Sequence, residues 1–150
     1  MRTSTQLDIV PVSGTRSYPP RQSAFTQKFW GELGEGKWQS TCCQDCQKLT
    51  FPPKIVCPHC WSTQVTWSPL GATGTLYSWT RIHAAPAAFT AEAPYAGGIV
   101  DLADGIRLAC RLVDVEGMQF AVGQPVEMCV LLYEDGPLFA ARPVALATKL

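Results

Sequence analysis

The hydrophobic rhythm of the chain changes twice. Residues 1–22 are polar and punctuated by Pro11, Gly14, Pro19 and Pro20, which predicts an extended or flexible arm. From Ser23, the apolar residues Phe25, Phe29, Trp30 and Leu33 fall at helical spacing. They predict a short amphipathic helix over 23–36, with Ser23 as N-cap and Gly34 and Gly36 stopping it. After a cysteine- and proline-bearing segment, residues 37–68, the period becomes two. Leu76, Ser78, Thr80 and Ile82 alternate with Tyr77, Trp79, Arg81 and His83, and residues 95–103 form a second candidate strand. Ile106, Leu108, Cys110 and Leu112 point inward between Arg107, Ala109 and Arg111, while Val126, Met128, Val130 and Leu132 share one face. A last run, PLFAARPV, completes five strands with no helix pattern between most of them. That count predicts a small closed or partly closed barrel over 69–143, best matched by an OB-fold, followed by a tail at 144–150.

The segment CCQDCQKLTFPPKIVCPHC, residues 42–60, adds chemistry to this outline. Cys43-x2-Cys46 and Cys57-x2-Cys60 are two copies of one knuckle, ten residues apart, with Phe51, Pro52 and Pro53 near the tip of the hairpin between them. Two such pairs offer four thiolates on two tight turns, which suits tetrahedral Zn2+. Thiolates alone also hold iron, and CPHC resembles the second knuckle of rubredoxin. Zinc is preferred because nothing else in the chain points to electron transfer. Four sulfurs close the coordination shell, so the metal is expected to be structural. Cys42 is set aside because pairing it with Cys46 gives a poorer knuckle, and Cys110 and Cys129 read as small core hydrophobes. The expected fold class is therefore mainly β: a short N-terminal helix, a four-Cys zinc ribbon and a five-stranded OB-fold barrel.

Charge narrows the function. Twelve Lys and Arg balance twelve Asp and Glu, so no basic excess exists to displace counterions from phosphates, and a nucleic-acid partner is not expected. A neutral chain that is 47% hydrophobic and only 16% charged tends to associate, with its Trp, Tyr and Phe as anchors. No window approaches the roughly 18 apolar residues of a membrane span, and the N-terminus lacks a secretory apolar core. A cytoplasmic, reducing location follows, in which clustered cysteines are metal ligands rather than disulfides. His59 lies inside the second knuckle and His83 at a strand end. No Ser-His-Asp order, nucleophile elbow, P-loop or dinucleotide fingerprint is readable.

Taken in order, FWGELGEGKW, the paired knuckles with FPP and CPHC, GTLYSWTRIH and PYAGGIVDLADGIRLACRLV resemble one family. It is the family of zinc-ribbon/OB-fold proteins that accompany thiolase-like enzymes, long catalogued as a domain of unknown function, and the likeness spans about residues 25–143. The resemblance implies a non-catalytic accessory subunit for a thiolase-like or ketoacyl-synthase-like catalytic partner acting on acyl-CoA. It implies Cys43, Cys46, Cys57 and Cys60 as zinc ligands. It also implies contact with partner or acyl-CoA at Phe29 and Trp30, at Phe51, Pro52 and Pro53, and at Trp79, Arg81 and His83. Arg81, Arg107 and Arg111 are candidates for CoA phosphates, with solvated strand faces as their ordinary alternative. One departure concerns the residue after each knuckle's second Cys, often Gly in the family because positive φ is favoured there. Here it is Gln47 and Trp61, and Trp61 places a large apolar plate beside the metal site, which suits an interface and makes Trp61 a further candidate partner or acyl-CoA contact. A stand-alone acyl-CoA-binding module, a single-stranded nucleic-acid OB-fold stacking bases on Tyr77 and Trp79, and a redox module are the competing readings.

Overall fold

The computed structural model describes residues 4–145, so of the expected tail only Val144 and Ala145 are seen. Five strands close the barrel: β6 (Thr73–Ile82), β7 (Tyr95–Leu102), β8 (Arg107–Leu112), β9 (Pro125–Tyr133) and β10 (Gly136–Pro143). β6, β7 and β8 run antiparallel in sequence, β10 lies parallel to β8 and antiparallel to β9, and β9 returns to β6. This ring is the predicted OB-fold. Leu76, Val100, Leu108, Leu112, Val126, Met128 and Val130 fill it and are all buried.

Two expectations change. The strict alternation predicted along β6 breaks at a bulge, because the β6–β7 register shifts between Leu76 and Ser78. An extra residue on one strand inverts the phase beyond it. Trp79 therefore falls opposite Gly98, in phase with Leu76, and packs its ring 5.3 Å from that of the buried Phe120. His83 lies just past the strand end and is exposed.

The first 22 residues were expected as an arm, and the described part is extended but well anchored. β1 (Thr5–Gln6) pairs with β3 (Lys37–Cys43) of the ribbon, and Leu7 between the arm's two strands is buried. β2 (Asp8–Pro11) runs parallel to β9 at Cys129–Leu132, taking over the edge that β6 occupies only at Pro125–Glu127. β9 is thereby buried on both faces, not one: Cys129, Leu131 and Tyr133 form a second small core with Val10 and Val12. The polar spacing of the arm concealed this, since only Leu7, Ile9, Val10 and Val12 carry the apolar surface.

Arg16 locks the arm down. Its side chain donates to the carbonyls of Asp135 and Pro137, and its backbone N–H to the Asp135 carboxylate at 2.8 Å. That N–H, together with the guanidinium, holds the Asp135 carboxyl below its ordinary range. Arg16→Ala removes two charge-assisted hydrogen bonds and the ion pair with Asp135. We expect it to lower unfolding free energy by about 2–3 kcal/mol in denaturant titration.

The helix α1 (Gln27–Leu33) is shorter than its predicted span, and Thr26 rather than Ser23 stands at its N-cap; Ser23 instead closes the turn before it, its hydroxyl accepting the Thr26 N–H and its carbonyl that of Gln27 at 3.0 Å. β4 (Leu49–Thr50) and β5 (Val65–Pro69) flank β3 to complete the ribbon sheet. Helix, ribbon and barrel meet at four rings. Phe29 of α1, Trp38 of β3, Phe51 of the ribbon tip and Phe139 of β10 touch in all six pairings, with centroids 5.3–6.3 Å apart. Such ring pairs each contribute about 0.5–1.5 kcal/mol beyond their buried area, so this cluster is the seam that fixes the ribbon to the barrel.

Candidate metal centre and docking groove

The two knuckles fold alike because the same hydrogen bonds recur fourteen residues apart. Gln47 N–H donates to the Cys43 carbonyl, and Trp61 N–H to that of Cys57, both at 2.9 Å. Cys43 N–H meets the Lys48 carbonyl, and Cys57 N–H that of Ser62. The turns bring the sulfurs of Cys43, Cys46, Cys57 and Cys60 within 4.8 Å of one another, with Cys43–Cys60 and Cys46–Cys57 both at 3.6 Å. A Zn–S bond of about 2.3 Å in tetrahedral geometry places the sulfurs about 3.8 Å apart, so the donor set fits such an ion. Backbone N–H groups of Cys46 and His59 point at the sulfurs of Cys43 and Cys57, both at 3.4 Å. The Cys46 N–H draws the Cys43 thiol down to about 7. Cys60 receives the Ser62 N–H but is still pushed up to about 12, chiefly by the neighbouring Cys43 sulfur. Thiolates this close repel without a cation among them. Cys42 stands outside the sulfur group, half-buried, its thiol 3.8 Å from the Cys43 carbonyl.

Gln47 and Trp61 do adopt the left-handed conformation usual for glycine, with φ of 64° and 65°. A side chain there costs about 1–2 kcal/mol. Trp61 is 80% exposed and has little packing to offset that cost. Trp61→Gly is therefore expected to raise the ribbon's stability by about 1 kcal/mol, whereas Trp61→Val, β-branched, should lower it. Thermal melts of the metal-loaded protein read both.

The predicted contact residues divide. Phe29, Trp30, Phe51, Pro52 and Pro53, from two separated segments, line one apolar groove of about 490 Å³ between α1, the ribbon tip and β8. Of its other walls, the sequence points to Arg107 but not to Arg21, Thr26, Leu108, Ala109 or Phe139. Arg21 lay in a segment read as an arm, and Phe139 looked like an ordinary strand residue until the aromatic seam placed it. Trp79 lines an adjoining hollow formed by β6, β7 and β8, which shares Ala109 with the groove. Trp61, Arg81 and His83 line neither.

Arg81, Arg107 and Arg111 are committed within the fold. They pair with Asp114, Asp101 and Glu92, and lie over the rings of Phe120, Tyr77 and Tyr95 respectively. Tyr77 thus sits beneath a guanidinium and Trp79 against Phe120, on separate surroundings rather than on one stacking platform. Burial pushes the thiols of Cys110 and Cys129 up to about 12 and about 11, consistent with inert core residues.

Two family descriptions match successive stretches of the chain: the ChsH2 rubredoxin-like zinc ribbon domain over residues 30–66, and the ChsH2 C-terminal OB-fold domain over residues 67–131. A DUF35 domain-containing scaffold protein of Methanocaldococcus jannaschii is 31% identical over 96 residues, covering 63% of this chain and 68% of the relative. A probable enoyl-CoA hydratase alpha subunit of Thermomonospora curvata is 36% identical over 85 residues, 56% of this chain but only 26% of that longer protein. Among solved structures, the Ltp2-ChsH2(DUF35) aldolase superposes with a TM-score of 0.73 at 28% identity, covering 85% of this chain and all of the matched one. A DUF35-family protein of Sulfolobus solfataricus shares the fold at 15% identity and a TM-score of 0.53, covering 79% of this chain and 84% of the other. With both domains matched in order, the chain belongs to the ChsH2 family of zinc-ribbon/OB-fold proteins, whose relatives are named as DUF35 scaffolds.

Proposed function

We propose that this chain is a non-catalytic accessory subunit that docks on a thiolase-type catalytic partner working on acyl-CoA, in acyl transfer or in forming or cleaving C–C bonds. The observation that carries the reading is the groove: helix, ribbon tip and barrel each contribute apolar walls to one open surface, and the four-ring seam beneath holds those walls in place. An exposed concave apolar surface on a neutral chain is an interaction site. The scaffold relatives, the aldolase structure and the hydratase subunit support a role inside an enzyme complex.

The metal in this proposal is zinc, held by Cys43, Cys46, Cys57 and Cys60. It supplies a cross-link, not reactivity, because four sulfurs leave no open position for water or substrate. Among the described residues, the side chains of His59 and His83 form no hydrogen bond that could orient a catalytic imidazole. Zinc over iron is read directly by elemental analysis. In this reading the complex works in the cytoplasm, where such thiols stay reduced.

Co-expression with the thiolase-type subunit encoded in the same genome tests the role. A stable complex is expected, with acyl-transfer or aldol-cleavage activity that the partner lacks alone. Equal stability and activity of partner and complex would reject it. Calorimetry of the isolated chain with acyl-CoA should show no specific heat; saturable binding there would favour the stand-alone acyl-CoA module.

A further inference from the structure

The zero net charge conceals a separation. Arg16, Lys28, Lys37, Arg81, Arg107, Arg111 and Arg142 are each ion-paired. Arg21, Lys48 and Lys54 are exposed and have no acidic partner among the described residues. All three belong to the helix–ribbon side. Arg21 lines the groove, Lys54 follows Pro53 at its lip, and Lys48 ends the first knuckle. Ile55, directly after Lys54, and Trp61, directly after the second knuckle, are 63% and 80% exposed. Of the acids without a cationic partner among the described residues, Asp45 of the first knuckle is held by the Ser62 hydroxyl, whereas Asp104, Glu116 and Glu134 lie on the β7–β8, β8–β9 and β9–β10 connections, Asp104 accepting the Gly71 N–H.

We propose that the helix–ribbon face docks onto a carboxylate-rimmed apolar patch of the catalytic subunit, with Arg21, Lys48 and Lys54 meeting the acidic rim and the aromatic groove taking its centre. This rests on the accessory-subunit reading. An unpaired cation on a docking face loses no internal ion pair when a carboxylate approaches, and several together steer the encounter. Their effect lies mainly in the association rate and is screened by salt.

The test is biosensor kinetics between the zinc-loaded chain and the thiolase-type subunit of the same genome, at 50 and 300 mM NaCl without CoA, concentrations of roughly the range where screening changes strongly. The association rate should fall by about tenfold at the higher salt. The triple variant Arg21→Glu, Lys48→Glu, Lys54→Glu should slow association by at least that factor while retaining its zinc. Glu116→Lys with Glu134→Lys, on the barrel connections, should leave the rate within about twofold. A complex whose association ignores both salt and the triple reversal overturns this inference alone, as does a charge effect that appears only when CoA is added, which would assign the cations to phosphates. No complex at any salt overturns the inference together with the accessory-subunit reading.

Discussion

Replacing Cys46 and Cys57 together by serine is expected to abolish metal binding and the order of the ribbon in one step. Each knuckle loses one sulfur, so two donors remain where four are needed, and serine hydroxyls are poor ligands for a thiolate-selecting ion. The segment between the knuckles has few other resources. Its strand pairing is limited to Thr41–Cys42 with Leu49–Thr50, and Leu49 and Phe51 pack against the core only while half-buried. Structural zinc binds with about 10–16 kcal/mol of apparent free energy in zinc-finger peptides, more than such a segment recovers by packing. Elemental analysis should fall from one zinc per chain to none, with residues 43–62 losing hydrogen-exchange protection while β7 and β8 keep theirs. A double variant that stays ordered and fully loaded would refute the ligand assignment.

Trp38→Ala should be the most damaging single substitution in the ribbon. Trp38 is completely buried, touches Phe29, Phe51 and Phe139, and donates its indole N–H to the Gly71 carbonyl at 3.1 Å. Its removal opens a cavity at the meeting point of all three units and leaves that carbonyl without its donor. The expected cost is about 3–5 kcal/mol, comparable to the whole stability of a small domain. Chemical denaturation of the metal-loaded protein measures it. Trp61, turned to solvent and 80% exposed, should show the opposite balance: little cost in stability on truncation, and a weaker complex. Trp38 and Trp61 thus separate folding from docking, and a loss below about 1 kcal/mol at Trp38 would contradict the seam described above.

The barrel and the metal knuckles were legible in the sequence for physical reasons. A period of two survives wherever one strand face is buried, as in Arg107–Leu112, and paired CxxC spacing has few uses other than tetrahedral ligation. Three features were not legible. The bulge at Tyr77 leaves no mark in the alternation, because Ser78 and Thr80 are tolerated on either face. The arm looked free because its pairing partner, Cys129–Leu132, is more than a hundred residues away. Arg81, Arg107 and Arg111 looked available because their acids and rings come from other strands and loops; only the folded chain shows that the uncommitted cations are Arg21, Lys48 and Lys54 instead. The candidate groove was half visible: Phe29, Trp30 and Phe51 to Pro53 could be named, but not that Phe139 and Ala109 complete it.

Hydrogen–deuterium exchange of the chain alone and in complex with its thiolase-type partner tests the central claim, docking through the helix–ribbon face, most directly. New protection is expected on residues 21–33, 48–62 and the β8 wall at 107–109, with β2 and the β9–β10 turn exchanging as in the free chain. Protection appearing on β2 and β9 instead, or none on α1 and the ribbon tip in a complex that demonstrably forms, would contradict it.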